Sequence, residues 1–384
     1  MSRLGHAEVE LVRVNRARRL LVCVVVAILF PAAQPAVGAS FTRTANTSAG
    51  RALYEIGDVT ITNGSEAWVL AGKDVLPFNY EQGVSSTDTG QLVFNSRGQL
   101  FRTTLGCPAP DDDAVPCYDA LAENQLPISG AEGQAGFNHI GDTSIGRAGP
   151  AEGFLLTPLE KSPGNGIDKI FKVFDVATLQ TAGRLEVPGP FSHHSWVMVD
   201  PTGNFMVNAD ATIRHLDVYR IIKNPAPAND EERIQLVRAT ELDITLDEGI
   251  PEDVGPTGCS FHDDLTVYCV DWIKNDLKHD IRTDVYRFRF AAPVGATDNT
   301  GAATLAFSYT IAHTIPSITY GLEGEGVTFY RREPGGPLEF HEVVRGERLD
   351  SVNLLHFVLA SEAGTVGEAG NNGSTNTRVL AETT

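Results

Sequence analysis

An all-β propeller is the fold this sequence predicts, with five blades by direct count and six as the alternative. Short alternating or wholly apolar runs recur along the chain, turn residues separate them, and long amphipathic helical stretches are absent. A polar, glycine-bearing opening followed by further strand-like runs repeats five times, with Gly83, Gly141, Ser195, Gly258 and Gly326 at equivalent places. The gaps of 58, 54, 63 and 68 residues between those positions are long for a blade, so the connecting loops are extended.

Taken in order, the chain opens with a segment that does not belong to the fold. Arg13, Arg16, Arg18 and Arg19 precede the apolar run Leu20–Phe30, and Val37-Gly38-Ala39 offers the small residues a signal peptidase reads. Residues 1–39 are therefore expected to be a signal peptide, and residues 40–50 a disordered lead-in. Pro31, Gln34 and Pro35 end the apolar run too early for a membrane span of about 20 residues, so no stable membrane insertion is expected after cleavage.

The propeller domain is assigned to residues 51–361. Leu53 to Leu70 carries two strand-like runs around Asn63-Gly64 but lacks an opening of its own, which predicts that these N-terminal strands join the last blade and close the ring. The first repeat runs through Gln82-Gly83-Val84, Leu92–Asn95 and Leu100-Phe101-Arg102-Thr103, and an insertion from Gly106 to Gly133 follows. The second runs from Gly136 to Gly189, through Asn138-His139-Ile140-Gly141-Asp142, Phe154-Leu155-Leu156, Ile170–Asp175 and Gly183–Val187; the third opens at Phe191-Ser192-His193-His194-Ser195 and continues to Ile221. Asn229–Arg238 is the best helical candidate, a turn or two within a loop. The fourth repeat spans Gly255 to Phe290, and the fifth Gly321 to Leu359. Residues 362–384 read as a disordered Gly/Asn/Thr-rich tail.

Composition narrows the partners. The chain carries a net charge of −19, and residues 1–39 hold five arginines against two glutamates, so the mature chain reaches −22. Such a surface repels nucleic acid and suits an extracellular protein whose partner is a protein, a glycan or a small molecule. Cys23 leaves with the signal peptide. Cys107 with Cys117 and Cys259 with Cys269, each ten positions apart, then read as two local disulfides.

Ring closure brings the repeat openings to one mouth of the central channel, which nominates Gln82, His139, Asp142, His194, Glu323 and Glu325 as binding residues. Oxygen and imidazole donors in one ring would take calcium or another divalent metal, with His139, Asp142 and Glu325 as the ligands. Glu160 reads as a solvated charge at a strand end. Gly-x-Ser-x-Gly and His-Glu-x-x-His are absent, so no catalytic residue is nominated.

The phrases NHIGD followed by LLTPLE, and QGV followed by LFRT, resemble exported bacterial β-propeller repeat proteins of unassigned activity. In layout, without matching catalytic motifs, the chain also resembles propellers that hydrolyse phosphoesters or lactones around a central metal. Two functions follow as expectations: a secreted binding or protein-interaction module, and, as the alternative, a metal-dependent secreted hydrolase of a small ester, lactone or phosphoester.

Overall fold

The computed structural model describes residues 59–76, 80–87, 90–103, 120–125, 127–160, 169–187, 196–209, 213–252, 254–271, 280–312, 322–332, 335–346 and 351–363. The signal segment, the lead-in, Cys107, Cys117, His194 and the tail beyond residue 363 lie outside them.

Strands β1 (Val59–Asn63) and β2 (Trp68–Leu76) precede the repeats. The first sheet is a meander of β3 (Gly83–Ser86), β4 (Leu92–Asn95), β5 (Leu100–Thr103) and β6 (Ala120–Asn124). A short helix, α1 (Gly130–Gln134), leads into the second, in which β7 (His139–Ile140) and β8 (Ser144–Ile145) share the edge of β9 (Phe154–Glu160), followed by β10 (Lys169–Asp175) and β11 (Thr181–Val187). The third comprises β12 (Met198–Val199), β13 (Phe205–Ala209), β14 (His215–Lys223) and β15 (Ile234–Leu246). The fourth comprises β16 (Pro256–Phe261), β17 (Thr266–Asp271), β18 (Asp280–Phe290) and β19 (Thr300–Ala312); β15 and β19 pair in parallel, so the outer edges of the third and fourth meanders join into one continuous sheet. The fifth contains β20 (Leu322–Tyr330), β21 (Glu339–Gly346) and β22 (Ser351–Leu359), and its outer strand is β2, antiparallel to β22 with Trp68 opposite Leu359.

The molecule is a β-propeller whose first and last segments share a sheet. The innermost strands neighbour one another in a closed cycle, β3 to β8, β12, β16, β20 and back to β3. Apolar cores fill the wedges between consecutive sheets. Phe94 packs with Tyr330 and Leu354 of the fifth sheet, whereas its neighbour Val93 packs with Leu155 and Ile170 of the second. Successive side chains on a strand point to opposite faces, so a strand between two neighbours must be apolar at consecutive positions. That requirement accounts for runs such as Leu92-Val93-Phe94 and Phe154-Leu155-Leu156, all buried. Each such leucine or phenylalanine contributes roughly 1.5–3 kcal/mol of burial.

Three local expectations are corrected. Asn229–Arg238 is not helical: a turn at Asn229–Glu232 leads into β15, where exposed and buried positions alternate as they do on an outer strand. Gly106–Gly133 is not wholly an insertion between blades: it supplies β6, which pairs with β5 as the outer strand of the first sheet, and ends in α1, started by a capping box in which Ser129 and Glu132 satisfy each other's backbone N–H. Asn63-Gly64 does not fold β1 back onto β2. Instead β1 pairs with β19 of the fourth sheet, and the Gly64 N–H donates to the Ala306 carbonyl at 3.0 Å, so only β2 reaches the last sheet.

Candidate functional site

Asp142 occupies the axis. It sits between β7 and β8, where the edge of the second sheet breaks into two short strands that turn its side chain inward. Its carboxyl accepts N–H groups from Thr143 at 3.0 Å and Val327 at 3.3 Å, and from Val84 and Cys259. The Asp142 carbonyl accepts the Val197 N–H at 3.2 Å. One residue thus holds the inner strands or leading residues of all four other sheets. Burial pushes its pKa well above the carboxylate range, against the opposing pull of the four N–H groups.

The opening glycines exist for this packing. A Cβ on Gly326 would lie 2.4 Å from Asp142 Oδ1 and 2.4 Å from Gly83 Cα, and one on Gly258 would lie 2.6 Å from Asp142 Oδ2. Only hydrogen fits at either position, so the axis is filled by backbone and one carboxyl group.

Above the hub, where the inner strands begin, polar side chains of the first, second and fifth sheets form one network. His139 Nδ1 bonds Glu160 and its Nε2 bonds Gln82 Oε1, while Gln82 Nε2 donates to Glu325 Oε1 at 3.1 Å. Arg345 Nε pairs with Glu81 Oε2 at 2.9 Å, and another of its nitrogens lies 3.7 Å from Glu325. Of the nominated residues, Gln82, His139 and Glu325 therefore meet at this mouth, and Asp142 lies buried at the axis. Glu323 stands in β20 opposite Arg345 in register, and His194 lies outside the described residues. Glu160 corrects its expectation: it is 8% exposed and bonded to His139 rather than solvated. Both His139 nitrogens face oxygen atoms, one of Glu160 and one of Gln82, so the ring is held from both sides in this arrangement.

A second feature, missed in the sequence, lies where the inner strands end. A cavity of about 480 Å³ opens among the first three sheets and is lined by Arg102, Arg147, Lys223 and Arg233, with Glu152 and Asp175. Arg147 Nε donates to the Ser86 carbonyl at 3.2 Å, and its Nη2 reaches the Phe329 carbonyl. Arg233 donates to Asp175 Oδ2 at 2.8 Å, and the cations of Lys223 and Arg233 lie 5.7 and 5.1 Å from the Phe154 ring centre. Burial alone would raise the pKa of Asp175; the hydrogen bonds from Arg233 and Thr178 outweigh it and hold the carboxylate below its ordinary value. The buried Nε of Arg102 has no hydrogen-bond partner. The four cations are scattered over more than 130 positions without a motif, although Arg102 belongs to the distinctive LFRT phrase.

No known protein-family model matches the chain, and no curated protein is similar to it in sequence. Among solved structures it is similar to the β-propeller domain of Cps50 (Swd1) from Myceliophteria thermophila, at 10% identity over 71% of this chain and 82% of that one, with a TM-score of 0.34. It is also similar to a luciferin-regenerating enzyme, at 9% identity over 79% and 95% with a TM-score of 0.39. A third is Hsv2 of Kluyveromyces lactis, at 13% identity over 57% and 58% with a TM-score of 0.28; the chain spans little more than half of that protein. The fold assignment rests on strand pairing and the closed cycle, to which likenesses at this level add nothing.

Proposed function

We propose that this chain is a secreted binding propeller of five blades that recognises an anionic group, carboxylate or phosphate, on a glycan or small molecule. The observation that carries the reading is the convergence of four cationic side chains, from three sheets, on a cavity of small-ligand size in a protein of net charge −19. Against a strongly acidic background, a local excess of cations focuses an anion to that one place. The mouth at the opposite end is less suited to this task, because its polar groups bond one another. Secretion is supported by the N-terminal segment and by the Cys259–Cys269 disulfide, in which two cysteines stand directly opposite in the β16–β17 register.

Calorimetric titration of the mature protein with inorganic phosphate, citrate and glucuronate tests the reading. Saturable binding that weakens at least tenfold in Arg102→Ala and Lys223→Ala supports it; a wild type that takes none of the three overturns it.

One observation favours the hydrolase alternative: His139 and Glu160 form an imidazole–carboxylate pair at the other mouth, the arrangement that orients a catalytic histidine. As a general base His139 would first have to free one ring nitrogen from its contact with Gln82 or Glu160. Turnover of p-nitrophenyl acetate or phosphate that disappears in His139→Gln would establish that chemistry, and a silent wild type would remove it.

A further inference from the structure

The fifth sheet buries a second polar cluster away from both mouths, at the seam where the N-terminal strand closes the ring. His341 on β21 and His356 on β22 stand directly opposite in register, and their Nδ1 atoms are 2.6 Å apart. His356 Nε2 lies 3.0 Å from Asp74 Oδ2 on β2, and His341 Nε2 lies 3.3 Å from the Tyr330 carbonyl and 3.8 Å from Glu339 Oε2. Both histidines are fully buried and Glu339 nearly so.

Counting protons exposes a mismatch. The chain from Asp74 through His356 and His341 to Tyr330 has three contacts between electronegative atoms, and each needs a proton. Two neutral imidazoles supply two. With an ionised Asp74, one contact sets lone pair against lone pair. A third proton would put a full charge on a pair of rings that are both completely buried. A metal ion between the two rings removes the conflict in another way. Each Nδ1 then gives its lone pair to the ion, and each Nε2 keeps a proton and donates it, one to Asp74 and one to the Tyr330 carbonyl. This is the outer-shell pattern that fixes the tautomer of metal-bound histidine.

We propose that Glu339, His341 and His356 form a site for a divalent transition metal, with Asp74 as a positioning residue, and that the ion staples the N-terminal strand to the last sheet. One nitrogen from each ring and one Glu339 oxygen lie within 4.8 Å of one another; Glu339 Oε2 accepts from Arg332 Nε at 2.6 Å and stands nearest His341 Nε2, so the carboxylate has to turn to join an ion held by the two Nδ1 atoms. Zinc–nitrogen bonds of about 2.0–2.1 Å place two ligands of a tetrahedral ion roughly 3.3 Å apart, so the rings part slightly on binding. Imidazole with carboxylate suits zinc, cobalt or nickel rather than calcium.

The test uses the full mature chain stripped with a chelator and returned to metal-free buffer. One equivalent of Co²⁺ should bind with visible ligand-field absorption, and Zn²⁺ should displace it and raise the thermal midpoint. His341→Gln and His356→Gln should each abolish uptake. Asp74→Asn, which leaves all three ligands in place, should weaken it by about 10- to 100-fold, and His139→Gln should bind normally. Absence of stoichiometric uptake by the wild type overturns the site, as does uptake that survives in the His341→Gln/His356→Gln double variant or is lost in His139→Gln. None of these results bears on anion binding at the basic cavity.

Discussion

Replacing Asp142 with asparagine tests the axis most directly. The substitution preserves shape and one oxygen and converts the other oxygen into an NH₂ donor. In its ionised form the carboxyl receives four N–H groups, from Val84, Thr143, Cys259 and Val327, so its two oxygens are filled at about two lone pairs each. Asparagine can serve only half of them, and its own NH₂ then faces the other half. Two buried donors left unpaired, at roughly 1–3 kcal/mol each, give a loss of about 2–6 kcal/mol, a large share of the ~5–15 kcal/mol that stabilises a typical domain. Urea unfolding followed by tryptophan fluorescence reads the change directly, because buried Trp196 forms a bridge with Asp142. The midpoint should fall with little change in slope. A loss below about 0.5 kcal/mol, the range of ordinary surface substitutions, would refute the hub. Gly326→Ala, whose Cβ would strike both the carboxyl and Gly83, should be destabilised as well.

Three further outcomes follow from the same structure. Glu342 is fully buried with a Tyr309 hydroxyl donating to it at 2.6 Å, and burial raises its pKa to about 8 from an ordinary 4.5. The folded chain keeps that proton after the unfolded chain has lost it, so the contribution of Glu342 to stability is fully present below pH 4.5 and declines as pH rises towards about 8, by about 5 kcal/mol at most; Glu342→Gln should remove this part of the slope in chemical unfolding across this range. Trp68→Ala removes a fully buried ring stacked on Phe307 at 5.4 Å where β2 joins the last sheet, and should lower unfolding stability by roughly 3–5 kcal/mol. Replacing Cys259 and Cys269 together with alanine opens a loop of ten-residue separation and should cost about 3 kcal/mol in the same assay, while non-reducing peptide mapping of the purified chain should return this bridge and the Cys107–Cys117 pair.

The repeats were legible because a propeller imposes a local rule. Every sheet between two neighbours needs apolar residues on both faces, and every inner strand needs a glycine or small residue where the axis narrows, so Gly83, Gly258 and Gly326 marked corresponding places before any coordinates existed. Closure by an N-terminal strand was legible for a related reason, since the strand-like runs before the first opening had no opening of their own. The meeting of Gln82, His139 and Glu325 followed from the same equivalence of repeat positions. What sequence could not decide was direction and depth. Asp142 lies within three residues of His139, yet one fills the axis and the other joins the mouth, because the break between β7 and β8 turns them to different depths. Glu160 looked solvated at its strand end until the facing His139 was in place. The cations of the basic cavity and the His341–His356 pair, facing only through the β21–β22 register, depend on long-range pairing: local pattern fixes which face a side chain takes, whereas the partner it meets is chosen only when the ring closes.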